Sequence, residues 1–293
     1  MELSLNIREL SKKFGLDNVA KIAKAAGFSA FDYFVALDEK ESPLHLENYK
    51  SIVSDIRRSV ENEGLKFDQT HAPFRFPAKQ WDEEGHFDVF VKALEISAML
   101  GAKICVVHPL HHMEYKGHEE EIFHLNMDYY RKLIPYCKEF GIKVGIENMW
   151  QRHRIRKNIT FDTCSTIDEF IRYIDTLDSE YMVACLDVGH VVLPDNPHSP
   201  ADFIRALGHD RLQALHIHDN DYTNDAHLLP YHGKLDWDSI TAALGEINYS
   251  GDFTYELAIG EFSVPRELLD DAVNYASAIG KLLVKKIEEN RKI

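Results

Sequence analysis

A (β/α)8 barrel, an α/β fold, is the fold class that the sequence predicts, and three observations predict it. A short pattern centred on glycine recurs along the chain, a short apolar run follows each glycine, and polar residues end several of these runs. The chain has 293 residues, a length at which α/β barrels often form one domain. We therefore expect a single barrel domain over residues 1–293.

The repeated pattern is Gly-x-Lys followed by an apolar residue. It occurs at Gly64, Gly101 and Gly141, with a looser copy at Gly27, and successive glycines lie 37, 37 and 40 residues apart. Glycine in this place suits the left-handed backbone conformation that ends a helix, and a β-rich run follows it. About eight helix–glycine–strand units of this length fit into the chain, which is the number in a (β/α)8 barrel.

The individual elements follow from the spacing of apolar residues. Ahead of Gly64, apolar residues at 49–60 recur at helical spacing, and Ser42-Pro43 is the expected cap and first turn of that helix. An open doubly wound sheet is the structural alternative, disfavoured because no GxGxxG loop follows the first strand. The strands are expected at 2–6, 30–35, 66–70, 103–107, 143–147, 183–187, 212–217 and 253–257.

Composition and charge bear on the class of partner. Hydrophobic residues make up 45% of the chain and charged residues 28%, as in ordinary globular proteins. The formal net charge of −15 disfavours a nucleic-acid partner, which usually meets a basic face. No segment is long and apolar enough to span a bilayer, and the first ten residues lack the regions of a secretory signal. We expect a cytoplasmic protein with no membrane partner.

The four cysteines are expected to pack in the core. They form no CxxC pair, and Cys105 and Cys185 lie in apolar strand segments. A thiol in such a segment behaves as a small hydrophobic group. Core packing is therefore favoured over a metal site or a disulfide.

Four potential metal ligands end four apolar runs in the second half of the chain. The strands of a barrel converge at one mouth, where barrel enzymes carry their chemistry. Two glutamates, an aspartate and a histidine describe an open site for one divalent metal, and manganese, cobalt, magnesium and zinc all suit this donor set. A salt bridge on the barrel rim is the alternative for a single glutamate, and the shared position of all four residues weakens it. The residues are Glu147 in KVGIEN, Asp187 in VACLDVGH, His216 in LQALHIHD and Glu256 in FTYELA.

Further histidines and carboxylates follow strands at the same expected mouth. His71 and His108 each come 7 residues after a repeat glycine, and Gly189 allows a turn that brings His190 back over Asp187. His218 shares a strand face with His216, so either can be the ligand, and we favour His216. Asp225 and His227 form an Asp-x-His pair that chelates a metal if its loop folds inward. Solvent-facing loop residues are the alternative for these positions.

Three arginines lie in the segment after Glu147. Arg152, Arg154 and Arg156 are separated by single residues. Guanidinium groups in this place can clamp a phosphate or carboxylate on a substrate. A solvated basic loop explains them equally well.

Together these residues resemble the xylose-isomerase-like TIM-barrel superfamily, which contains the sugar phosphate isomerase/epimerase group and is related to the zinc-dependent apurinic endonucleases. The similarity runs across nearly the whole chain, and residues 225–237 resemble the DxHLPPGxGxIDW loop of sugar-enzyme members. The resemblance implies that one divalent metal is held by Glu147, Asp187, His216 and Glu256. It also implies that His190 contacts the substrate.

The function implied by the resemblance is a metal-dependent isomerase or epimerase of a sugar, a sugar phosphate or a polyol. Glu147 and Glu256 would be both ligands and the acid/base pair, passing a proton through an enediolate that the metal stabilises. Members of this group often pair, which makes a homodimer an expected assembly. The arginine that ketose epimerases carry soon after the histidine is absent from 219–234, which disfavours a simple free-ketose 3-epimerase. Substrate contacts are expected from His190, His71, His108, Asp225, His227 and Arg152.

Three alternatives stay open at this point. A barrel dehydratase of the inosose type uses the same metal and base. A three-zinc apurinic endonuclease needs nine ligands, and the sequence has a candidate for each. A barrel that binds metal without activity is the least favoured, because the acid/base carboxylates are present. The nine candidates are His71, His108, Glu147, Asp187, His190, His216, Asp225, His227 and Glu256.

Overall fold

The computed structural model describes residues 1–74, 86–110, 113–153, 155–258 and 264–291. Eight of the described strands form one parallel sheet, and two form a separate antiparallel hairpin, β6–β7. The strands are β1 (Leu3–Asn6), β2 (Ala30–Phe34), β3 (Lys66–His71), β4 (Ile104–Val107), β5 (Lys143–Glu147), β6 (Trp150–Arg152), β7 (Ile159–Phe161), β8 (Met182–Asp187), β9 (Leu212–His216) and β10 (Phe253–Tyr255).

The eight-stranded sheet closes on itself as a barrel. Its strand order is β10-β1-β2-β3-β4-β5-β8-β9, with every neighbouring pair parallel. The last gap is bridged where the Ile217 N–H donates to the Thr254 carbonyl at 2.9 Å and the Glu256 N–H donates to the Ile217 carbonyl at 3.1 Å. The predicted (β/α)8 barrel is confirmed, with each strand within two residues of its expected ends, and the open doubly wound sheet is wrong.

Helices connect the strands. None of the helices in the described part of the chain is both long and apolar enough to cross a membrane. They are α1 (Arg8–Phe14), α2 (Leu16–Ala26), α3 (Tyr49–Asn62), α4 (His86–Leu100), α5 (Glu119–Phe140), α6 (Ile167–Leu177), α7 (Val188–Val192), α8 (Pro200–Arg211), α9 (Trp237–Glu246) and α10 (Leu269–Glu289), with short 3-10 turns at Pro43–His45 and Arg266–Leu268.

The repeat glycines end helices as predicted. Gly27, Gly64, Gly101 and Gly141 have φ angles of 98°, 73°, 89° and 68°, in the left-handed region that favours glycine. Each follows a helix and precedes a barrel strand. The recurring sequence pattern therefore marks the junction between helix and strand in successive units.

The predicted start of α3 is wrong. The Ser42 hydroxyl accepts a hydrogen bond from the Leu44 N–H at 3.4 Å, so Ser42 caps the 3-10 turn Pro43–His45. Leu46 then adopts an extended conformation, with φ −67° and ψ 153°, which ends the turn. The helix begins separately at Tyr49, because an extended residue cannot continue a run of helical hydrogen bonds.

Small residues fill the barrel interior beneath the strand ends. Side chains alternate along a strand, so Cys185 and Ala214 share the inward face with the residues two positions later, Asp187 and His216. Cys185 and Ala214 pack with Val106 in a small buried cluster. All four cysteines are buried and free, which confirms the prediction that they pack in the core. The polar strand ends therefore stand on an apolar floor.

Candidate metal centre

Four strand-end residues meet at the carboxyl end of the barrel. Glu147, Asp187 and His216 are the last residues of β5, β8 and β9, and Glu256 follows β10 directly. One ligand atom from each residue lies within 4.8 Å of the others. The first three side chains are almost completely buried, whereas 23% of the Glu256 side chain is exposed. We call these four residues the central group.

His216 lies between the two glutamates of the central group. Its Nδ1 is 3.2 Å from Glu147 Oε1 and 3.3 Å from Glu256 Oε2. The strands that carry these glutamates, β5 and β10, are not adjacent in the barrel. Two carboxylates thus approach one imidazole nitrogen from separate parts of the barrel, because the strand ends meet at this mouth.

Asp187 is fixed by Asn148, the residue that directly follows β5. The Asn148 amide donates to the Asp187 carbonyl at 3.0 Å and accepts from the Asp187 N–H at 2.8 Å. The Asp187 carboxylate also accepts from the His190 N–H at 2.8 Å, as the cap of α7. The sequence reasoning missed Asn148, although an amide directly after a strand-ending glutamate was a usable signal.

A second group forms around the other oxygen of Glu147. His108 Nε2 lies 3.0 Å from Glu147 Oε2, and His71 Nε2 lies 3.5 Å from the same oxygen. The two imidazole nitrogens are 3.0 Å apart. Glu147 therefore joins two groups of potential ligands.

A third group forms around Asp225, in the loop after β9. Its Oδ2 lies 3.3 Å from His190 Nε2 and 3.3 Å from His227 Nε2. His218 Nε2 lies 2.9 Å from Asp187 Oδ1, and its ring stacks on His227 with centroids 4.1 Å apart. The loop that carries Asp225 and His227 thus folds inward, as the prediction for the Asp-x-His pair required. His218, which is not one of the nine candidates, also contacts Asp187.

In three histidines a backbone carbonyl contacts Nδ1, and this contact determines that Nε2 is the nitrogen that faces the site. A carbonyl oxygen only accepts, so in the neutral ring Nδ1 carries the proton and Nε2 presents its lone pair to the site. Such second contacts set which nitrogen of a metal-binding histidine is free to ligate. The Nδ1–oxygen distances are 2.6 Å for His71 with Ala72, 2.8 Å for His190 with Asn148 and 2.9 Å for His227 with Glu256.

The carboxylates and histidines shift one another's pKa values. Burial alone would raise the pKa of Glu147, but the facing His216 and His108 hold it well below its ordinary value. Burial likewise disfavours charge on His227, yet Glu256 and Asp225 raise the pKa of this imidazole to about 10. The pKa of His216 is also raised, so protonation of His216 and His227 is favoured and a metal that binds through them displaces protons.

A cavity of about 270 Å³ opens beside the central group. The Arg8 guanidinium stacks over the Phe34 ring at 3.6 Å and donates to Glu39 at 3.0 Å, which fixes it in the wall. A larger cavity, of about 660 Å³, lies at the opposite end of the barrel among strand starts, the end that serves stability in this fold. The smaller cavity is lined by residues that include Asn6, Arg8, Phe34, His71, Phe74, Asp225, His227 and Glu256.

Among the described residues, the side-chain contacts of Arg152 are with its own hairpin and not with the three groups. Its guanidinium lies over the Trp150 ring at 5.4 Å and donates to the Lys157 carbonyl at 3.4 Å, within the hairpin β6–β7. Arg154 lies outside the described residues. The nine histidine and carboxylate candidates, by contrast, all contribute to one of the three groups.

Comparison with known proteins assigns the chain to a family. A sequence profile for the family described as xylose isomerase-like TIM barrel matches residues 20–279. The chain belongs to this family. The match covers most of the barrel, from α2 into α10.

Individual members of the xylose isomerase-like TIM barrels resemble the chain to different extents. D-psicose 3-epimerase of Enterocloster bolteae is 34% identical over 121 residues, covering 41% of this chain and 35% of that protein. A solved D-tagatose 3-epimerase-like protein superposes with a TM-score of 0.76 at 20% identity, covering 99% of both chains. A solved IolI protein with a bound zinc atom gives 0.72 at 19% identity, covering all of both chains.

These similarities identify the fold of the chain but do not identify its substrate. The sequence matches span about half, or less, of the length of the curated relatives. The structural neighbours are below 25% identity, and several carry the names of sugar epimerases. The chain therefore has the architecture of sugar epimerases and isomerases, with candidate metal ligands at the barrel mouth.

Proposed function

We propose that this xylose isomerase-like barrel is a metal-dependent isomerase or epimerase of a sugar or a related polyol. The observation that carries the proposal is the pair of glutamates that face one nitrogen of His216, at 3.2 Å for Glu147 and 3.3 Å for Glu256. Two carboxylates that meet at one point beside a candidate metal ligand support a pair that takes a proton from the substrate and returns it.

The donor set of the central group fits one divalent metal. Three carboxylates and an imidazole suit manganese, cobalt, magnesium or zinc, and a solved structural neighbour holds zinc. When bound, such a cation polarises a substrate carbonyl and offsets the negative charge that develops on the substrate oxygens.

The residues of the chain supply the rest of the chemistry. Glu256 is the partly exposed member of the central group and lines the cavity, which supports a role in taking a proton from a carbon next to the carbonyl. Glu147 is buried, and the facing His216 and His108 lower its pKa and so favour its carboxylate form; we assign it as the partner that accepts and returns the proton. The Phe34 and Phe74 rings form an apolar wall for the carbon face of a substrate.

A Glu256→Gln variant tests the proposal. The amide keeps the size of the side chain but cannot accept a proton, so turnover should fall by about a thousandfold. Turnover is measured as deuterium uptake from D₂O into ketoses, inosose-like polyols and sugar phosphates, which detects proton removal whatever the product is. Glu289→Gln, on the exposed face of α10, is the matched control and should leave uptake unchanged. Wild-type uptake in Glu256→Gln would rule out the assigned role.

A three-zinc apurinic endonuclease is the second candidate, and one observation favours it. All nine sequence candidates lie in the three connected groups, which share Glu147 and Asp187. The net charge of −15 stands against a DNA substrate. Metal content after purification without chelator separates the two candidates, with about one ion per chain expected for the sugar enzyme and about three for the nuclease.

A further inference from the structure

Asp32 is a carboxylate buried inside the barrel, on β2, and it lies behind His216. Its side chain is fully buried, and its Oδ2 is 3.6 Å from His216 Nε2. Asn6 donates to the same oxygen at 3.2 Å, which holds the carboxylate in place from β1. Asp32 Oδ1 and His216 Nε2 are both buried, with no hydrogen bond to any described residue.

The His216 ring has a defined orientation between two acidic sides. Its Nδ1 faces the carboxylates of Glu147 and Glu256, and its Nε2 faces the carboxylate of Asp32. The His71 ring stacks against it with centroids 5.6 Å apart and planes inclined by 14°, which limits rotation out of this plane. A shift of about half an ångström brings Nε2 within hydrogen-bond distance of Asp32.

We propose that Asp32 is a positioning residue for the metal centre, accepting a hydrogen bond from His216 Nε2–H so that Nδ1 presents its lone pair to the metal. Histidine ligands commonly donate their second N–H to a carboxylate, which fixes the ring and makes the ligating nitrogen more basic. The inference rests on the metal centre of the proposed function. It adds a residue that acts through His216 and does not touch the substrate.

The contact depends on barrel closure. β2 and β9 are separated in the sheet by β1 and β10, so Asp32 reaches His216 across the barrel interior. An uncharged group at this position would leave the His216 N–H without its anionic acceptor.

Titration of metal-free protein with Co²⁺ tests the inference, read by calorimetry and by the visible absorption of bound Co²⁺. Asp32→Asn and Asp32→Ala should each weaken Co²⁺ binding by about 10- to 100-fold, with the larger loss in the alanine variant. Asp68→Asn is the matched control, because Asp68 is also a buried barrel aspartate but bonds to Ser4, at 2.8 Å. This control should bind Co²⁺ within about threefold of the wild type, since the hydrogen-bond partners of Asp68 are Ser4 and Asp252, which are not candidate ligands.

A measurement on the wild-type chain covers the case in which the Asp32 variants do not fold. The ¹⁵N spectrum of the Zn²⁺-loaded protein should show His216 protonated at Nε2, with its signals identified by their loss in His216→Asn. A proton on Nδ1 would overturn the proposal. So would wild-type Co²⁺ affinity in a folded Asp32→Ala chain, while the proposed function would survive. A wild-type chain that binds neither cation would overturn both.

Discussion

At the level of single residues, Gly189 shows how closely the site is packed. It lies in the first turn of α7, between Asp187 and His190, and a Cβ atom there would overlap the His218 ring. His218 Nε2 in turn lies 2.9 and 3.0 Å from the two oxygens of Asp187. Glycine at this position therefore allows an imidazole to support a carboxylate of the central group.

A Gly189→Ala variant should displace His218 and disturb Asp187. We expect a loss of about 1–3 kcal/mol in the free energy of unfolding, together with weaker metal binding, because the buried ring has no free space to move into. Urea unfolding and Co²⁺ titration measure the two effects. In a His218→Ala background the same substitution should cost little, since its steric partner is gone. An equal cost in both backgrounds would contradict the steric explanation.

At the level of elements, Glu169 joins three segments beside the mouth. It lies in the first turn of α6, and its Oε2 accepts from the Tyr115 hydroxyl at 2.8 Å and the Cys164 N–H at 2.9 Å. Tyr115 in turn donates its N–H to Gln151 of β6, at 3.1 Å. Burial raises the pKa of Glu169 from 4.5 to about 7.

This pKa predicts a pH dependence of stability. The folded chain holds the Glu169 proton more tightly than the unfolded chain does, so the stabilisation is full below about pH 4.5 and is lost as the pH rises through about 7. Glu169→Gln should therefore gain stability relative to the wild type between about pH 5 and pH 8, by on the order of 2 kcal/mol. Urea midpoints at both pH values measure this gain.

Asp168→Asn is the control for Glu169→Gln. Asp168 lies in the same turn of α6 and is exposed, so its substitution removes a charge at the helix start without changing the buried contacts. A stability difference for Glu169→Gln that stays constant across the pH range would contradict the assigned pKa. The hairpin β6–β7, which Glu169 supports through Tyr115, was not among the expected strands.

At the level of the whole molecule, the proposed metal would tie one half of the barrel together. The central group draws on β5, β8 and β9 and on the residue after β10. A ligand that binds only the folded chain stabilises it by about 2.7 kcal/mol at a hundredfold excess over its Kd. Chelator treatment should therefore lower the Tm by about 5–10 °C, and added Mn²⁺ or Zn²⁺ should restore it. Calorimetry with and without metal measures the shift, and a Tm that ignores both treatments would contradict the metal centre.

The sequence by itself determined the fold and most of the candidate ligands of this protein. The repeat glycines and the apolar runs are local features, and each strand-end residue is visible at the end of its own run, as with Glu147 in KVGIEN. Local backbone preference and side-chain alternation are enough to place such residues at one end of a parallel barrel.

Only the tertiary structure decided how those residues are supported. Asp32 lies 184 positions before His216 in the sequence, in a strand whose pattern shows nothing but an isolated acid, and the two meet only when the barrel closes. Tertiary structure likewise places Arg152, whose hairpin turns the guanidinium onto Trp150. Contacts across the barrel depend on strand order and closure, which local sequence patterns do not encode, and these contacts surround the candidate ligands that the sequence made visible.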